Sequence, residues 1–81
     1  MQRVSSETAY KQELARLGAA IRAIRKEIHV SQEALALRAG IDRSHMGKIE
    51  RGERNVTIGN VLRIASALGC VPSDLLRRAD L

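Results

Sequence analysis

The chain has no phenylalanine and no tryptophan, and Tyr10 is its only aromatic residue. Modules that bind single strands by stacking bases need several rings, so the sheet and barrel readers are disfavoured. A core without large aromatics must be built from Leu, Ile, Val and Ala, which suits closely packed helices. Cys70 is the only cysteine, so an internal disulfide is excluded. With His29 and His45 far from it in sequence, no metal-ligand spacing appears, and neither metal nor cofactor is expected. Cys70 itself reads as a small apolar residue in a bend. The longest apolar runs, such as Ala34-Leu35-Ala36-Leu37, are far too short to span a bilayer, and no signal pattern is visible at the N-terminus. The expectation is a soluble, cytoplasmic protein. No carboxylate pair or nucleophile–base arrangement appears, so an enzyme is not expected. No segment alternates apolar and polar residues over strand length, which predicts an all-α fold.

What the chain does have is positive charge. Fourteen Lys and Arg against nine Asp and Glu leave a net +5, which suits a polyanionic partner, either nucleic acid or an anionic membrane. Eighty-one residues make one small domain, 1–81, which buries only roughly 60% of its unfolded surface.

The middle of the chain, Val30 to Gly59, alternates helix starts and stops. Ser31, Asp42 and Thr57 are good N-cap residues. Each follows an apolar residue (Val30, Ile41, Val56) and precedes another by four positions (Leu35, Met46, Val61), the hydrophobic-staple pattern three times over. Gly40, Gly52 and Gly69 stand where the helices should stop. These signals predict helices over 32–39 and 43–51, and a third from 58 to Gly69. Two short helices across a glycine-containing turn read as a helix-turn-helix with its core at about 31–51.

Around it, Leu14, Leu17, Ile21, Ile24 and Ile28 follow Tyr10 in steps of 4, 3, 4, 3 and 4. That is one face of a helix from about Ser6 to Glu27. Its outer face carries Lys11, Arg16, Arg22 and Lys26, which on their own read as a solvated face. Residues 1–5 show no periodicity and are expected to fray. Ile58, Val61, Leu62, Ala65 and Leu68 line one face of the helix after Thr57. A last short helix, 72–78, starts on Pro72, whose missing N–H would be unpaired there anyway. Asp74 and the pair Arg77 and Arg78 complement its dipole.

With Gln32 as the first position of the motif, Leu35, Ala39, Ile41, Met46 and Ile49 fall at buried positions. Ala36 falls where the two helices cross most closely, and Gly40 at a turn that needs a positive φ. From Leu17 to Leu76 the chain resembles the phage Cro/repressor type of helix-turn-helix domain, the XRE-like family. The resemblance is carried by Ile21-Arg22-Ala23-Ile24-Arg25, Ser31-Gln32-Glu33-Ala34-Leu35-Ala36, Ala39-Gly40-Ile41, Ile49-Glu50-Arg51-Gly52 and Ala67-Leu68-Gly69. Within the family, Asp42-Arg43-Ser44-His45 and the run from Ile49 to Thr57 look like the controller proteins of restriction–modification systems, small homodimeric regulators. His29 departs from the family's usual glycine, but His tolerates a positive φ better than most residues.

The resemblance implies a five-helix, phage-repressor-like DNA-binding domain whose recognition helix begins at Asp42. Arg43 can form two hydrogen bonds to a guanine edge, and Ser44 and His45 can donate or accept. By resemblance these three face bases, and Arg54 reaches bases in the controller relatives. Asp42 reads as a cap. Phosphate contacts are expected from Gln32, Lys48, Arg51 and Asn55. Glu50 resembles a structural acid paired with Arg25. A homodimer on a near-palindrome is implied, with recognition helices about 34 Å apart. Its interface is expected around Val71, Leu75 and Leu76, because a short helix with adjacent leucines should not bury both in so small a core. Double-stranded DNA, a second copy and RNA polymerase are the candidate partners. The alternative is an antitoxin-like or adaptor module whose main partner is a protein. Such a module would expose apolar residues on the recognition face. Membrane binding through the first helix is disfavoured because its apolar face is needed for the core.

Overall fold

Three of the helix starts are built as the caps predict. The computed structural model describes residues 9–81, in which five α-helices and no strand are found. They are α1 (Lys11–Glu27), α2 (Gln32–Ala39), α3 (Arg43–Glu50), α4 (Ile58–Leu68) and α5 (Pro72–Arg78). The Ser31 hydroxyl accepts from the Ala34 N–H at 3.0 Å, opening α2. Asp42 Oδ2 accepts from the N–H groups of Ser44 and His45 at 3.0 and 3.3 Å, opening α3. The Thr57 hydroxyl accepts from the Asn60 N–H at 3.1 Å, opening α4. Each cap satisfies N–H groups that the helix itself cannot. The staple partners Leu35, Met46 and Val61 are all buried. Gly40 ends α2 at φ +68, and its N–H and that of Ile41 reach back to the carbonyls of Leu37 and Ala36. This left-handed turn sets the angle between α2 and α3.

α1 is shorter than its periodicity predicts. Tyr10 sits at φ +59 in the left-handed region, so the helix begins at Lys11 and Ala9 and Tyr10 form a turn. The expected start at Ser6 and the expected fraying of residues 1–5 lie outside the described residues. His29 holds φ +58, the positive φ that the resemblance leads one to expect at this position. α3 stops at Glu50, with Arg51 as its C-cap, one residue before the predicted end.

The core is apolar and aliphatic. Ile21, Leu35, Met46, Ile49, Ile64 and Leu75 are the largest fully buried side chains, and each contributes about 1.5–3 kcal/mol by leaving water. α1 packs against α3, α4 and α5, while α2 packs against α3 and α4. Gly18 makes the α1–α3 approach close: a Cβ there would lie 2.5 Å from the carbonyl oxygens of Ile49 and Glu50.

Two expectations are corrected by the packing. Leu75 is fully buried in the protomer's own core, so it has no surface to offer a second copy. Its neighbour Leu76 is half-buried against the same core, and only Val71 of the three is exposed. The two leucines point in different directions because successive helical residues are about 100° apart. In α4 the buried face is Val61, Ile64, Ala65 and Leu68, whereas Ile58 and Leu62 stand outward at 71% and 50% exposure. The helix is apolar over a wider arc than its neighbours cover. Among the described residues no helix is long and apolar enough to cross a membrane.

Candidate nucleic-acid interface

α3 has two unlike sides. Met46 and Ile49 anchor it in the core, and Ala36 lets α2 cross behind it. Arg43, Gly47 and Arg51 recur every four residues and form one outward stripe, flanked by Ser44 and Lys48. Arg43 and Ser44 are exposed on the first turn, and His45 and Lys48 are half-buried. Arg54 and Asn55 are exposed in the segment between α3 and α4. Arg43 is not without a partner: its Nε stands 4.0 Å from Glu33 on α2, both side chains being well solvated. Such a loose pair is worth little and yields readily to a stronger acceptor.

The ion pair expected behind this face is present. Arg25 donates through Nε and NH2 to both Glu50 carboxylate oxygens, at 2.7 and 2.9 Å. Its remaining nitrogen donates to the Val30 carbonyl at 3.1 Å, which ties the α1–α2 turn to the same residue. Gln32 Nε2 donates to Glu50 Oε1 at 3.1 Å. Glu50 thus links α1, the start of α2 and the end of α3. The hydrogen bond to Glu50 raises the Arg25 guanidinium above its ordinary value and outweighs the burial that opposes it.

Gln32, Arg43, Ser44, Gly47 and Arg51 line one open cleft of about 240 Å³. Four of these five are sequence-predicted contacts. His45, Lys48, Arg54 and Asn55 do not line it. A neighbouring cleft of about 390 Å³ is lined by Arg22, Arg25, Gln32, Glu50 and Arg51. Arg51 donates to Glu53 through Nε at 2.9 Å and NH2 at 3.3 Å. That pairing holds the Glu53 carboxyl below the usual carboxylate range and pushes Arg51 up.

Sequence reasoning missed Gly47, Glu53 and Arg22. A glycine inside an eight-residue helix was a usable signal, because it costs about 1 kcal/mol against alanine and calls for a reason. Arg22 reads in the sequence as one of the solvated charges of α1. Another of those, Arg16, donates to the Ala79 carbonyl at 3.1 Å and so ties α1 to the end of α5. Arg78 pairs with Glu27 and closes the same seam from the other end.

A helix-turn-helix family profile matches residues 21–76, which contain every element of this face. The chain belongs to the XRE-type helix-turn-helix family. It is 43% identical over 60 residues to the control protein C.BamHI of Bacillus amyloliquefaciens, across 73% of this chain and 74% of that protein. The solved restriction-modification controller protein C.AhdI of Aeromonas hydrophila is similar at TM-score 0.76 and 43% identity, covering 78% of this chain and 96% of that one. The controller C.Esp1396I, solved bound to a 25 base pair operator site, is similar at TM-score 0.77 and 29% identity, covering 84% of this chain and 90% of that one. In this XRE-type domain α2 and α3 are the helix-turn-helix pair.

Proposed function

We propose that this protein is a sequence-specific DNA-binding transcriptional regulator of the restriction–modification controller type, acting in the cytoplasm as a homodimer. The observation that carries the reading is the outward side of α3: Arg43, Ser44 and Arg51 line an open cleft with Lys48 outside it, and no large apolar side chain is exposed there. The likeness to a controller solved on its operator supports it. The protein-interaction alternative needs apolar residues on that side, and they are absent from it.

In this reading α3 enters the major groove. Arg43, Ser44 and His45 meet base edges, with Arg54 reaching in from the following segment. Gln32, Lys48, Arg51 and Asn55 hold the backbone and set the register. The Arg25–Glu50 pair contacts no DNA but fixes the angle at which α3 is presented. The dimer surface uses Val71 and Leu76, extended by the uncovered Ile58 and Leu62 of α4. Exposed apolar side chains of this kind suit a two-fold interface. RNA polymerase is a further partner, and Leu37 of α2, 83% exposed, is the apolar side chain available to it beside the DNA face.

The test compares Arg43→Ala with Lys48→Ala against an operator selected from random DNA, its single-base variants and unrelated duplex. Arg43→Ala should lose about 1–3 kcal/mol at one base position and flatten preference there. Lys48→Ala should weaken all sequences alike and lower the salt slope by about one per subunit. A parent protein with no sequence preference would sink the reading in favour of a protein partner.

A further inference from the structure

Gly47 lies between Arg43 and Arg51 on the outward stripe of α3, yet it is buried. What covers it are two side chains arriving from different elements. A Cβ at this position would meet Arg51 NH1 at 3.1 Å and Gln32 Oε1 at 3.4 Å. Each of those side chains is held from behind. Gln32 gives one Nε2 hydrogen to Glu50 and turns its Oε1 toward Gly47, so only its second Nε2 hydrogen remains to donate to an anion. Arg51 gives Nε and NH2 to Glu53, which leaves NH1 on the Gly47 side. The cleft they border is lined by two guanidinium groups, an amide, a hydroxyl and a glycine, and by no carboxylate. A cleft rich in donors and free of acid fits an anion.

We propose that the Gln32–Gly47–Arg51 part of this cleft seats one backbone phosphate of the bound DNA, leaving Arg43 and Ser44 to the bases, and that Gly47 and Glu53 are positioning residues for it. This rests on the DNA-binding reading above. Gly47 leaves the floor open so that Arg51 and Gln32 converge. Glu53 occupies two nitrogens of Arg51 so that the third faces the phosphate. An acidic residue beside DNA would otherwise only repel it. Here its charge is spent on orienting an arginine, whose planar fork can serve two anions at once.

The experiment measures binding of a short mixed-sequence duplex at two salt concentrations, with thermal unfolding of each variant beside it. Gly47→Ala should melt at or above the parent temperature, because alanine is the better helix former. It should bind the duplex about tenfold more weakly, with a salt slope lower by about one per subunit. Combined with Arg51→Ala it should cost little more than Arg51→Ala alone, as two changes acting through one contact do. Glu53→Ala should also weaken binding, although it removes a negative charge. Simple electrostatics requires the opposite sign. Should Gly47→Ala fail to fold, the sign of the Glu53→Ala effect decides by itself. A parent that binds while Glu53→Ala binds more tightly, or while a folded Gly47→Ala binds as the parent does, overturns the seat and leaves the DNA reading standing. A parent that binds no duplex at all overturns both.

Discussion

Glu50 and Arg51 are neighbours in sequence, and each belongs to a forked arginine–carboxylate pair, but the two pairs do different work. In Arg25–Glu50 the side chains keep 11% and 2% of their exposure, and in Arg51–Glu53 they keep 58% and 53%. The buried pair joins residues 25 positions apart and carries hydrogen bonds to Val30 and from Gln32 as well. The exposed pair joins residues two apart and is surrounded by solvent. Desolvation makes the first indispensable once formed, since either partner alone would be a buried unpaired charge. Screening makes the second nearly neutral for folding, which leaves it available for orienting a side chain toward a ligand. A single step, from the last residue of α3 to its C-cap, turns the same chemistry from a buried strut into a solvated pair.

The sharpest way to break this comparison is to remove one buried partner. Glu50→Ala should destabilise by about 3–5 kcal/mol in chemical denaturation, while the paired replacement Arg25→Met with Glu50→Leu should recover most of the loss. A loss below about 1 kcal/mol for Glu50→Ala, typical of an exposed pair, would show that burial does not separate the two.

A smaller effect should come from forcing α1 and α3 apart without touching either charge. Gly18→Ala places a methyl group against the backbone carbonyls of Ile49 and Glu50, which cannot swing away as a flexible side chain would. Overpacking of this kind costs about 1–3 kcal/mol. Unfolding should detect it, and a variant as stable as the parent would mean that the close approach does not hold α3 in place.

The smallest effect concerns the exposed pair and pH. Glu53 has its carboxyl lowered first by the Arg51 hydrogen bond, so its contribution is present above the ordinary glutamate range and is lost as pH falls through the lowered value. Titration of the Glu53 side chain by NMR should therefore show a midpoint below that of an unpaired glutamate. Arg51→Ala should move it back toward the ordinary range, with Lys48 and Arg54 still lowering it, and a midpoint unmoved by that substitution would assign the shift to those groups alone. Thermal unfolding near neutral pH should hardly register the change, because both side chains are solvated.

Local signals carried most of the helix boundaries. Ser31, Asp42, Thr57, Gly40 and Gly69 are each read from their own residue type and their immediate neighbours, and the helices start or stop where they say. Part of the expected contact face comes together: Gln32, Arg43, Ser44 and Arg51, named from a motif whose spacing sets which way they point, line one cleft, whereas His45, Lys48, Arg54 and Asn55 do not. The start of α1 was not legible, because a left-handed Tyr10 leaves no mark on the apolar periodicity. Leu75, Ile58 and Leu62 were misassigned because an apolar residue at helical spacing states that it wants burial, not which partner supplies it. By itself, then, the sequence determined the helices, the motif and the sign of the charge it presents. The assignment of Leu75 to the core, the uncovered second face of α4 and the convergence of Arg51 and Gln32 over Gly47 were decided by tertiary structure. Each depends on distances between residues that the chain's local geometry leaves free until the helices pack.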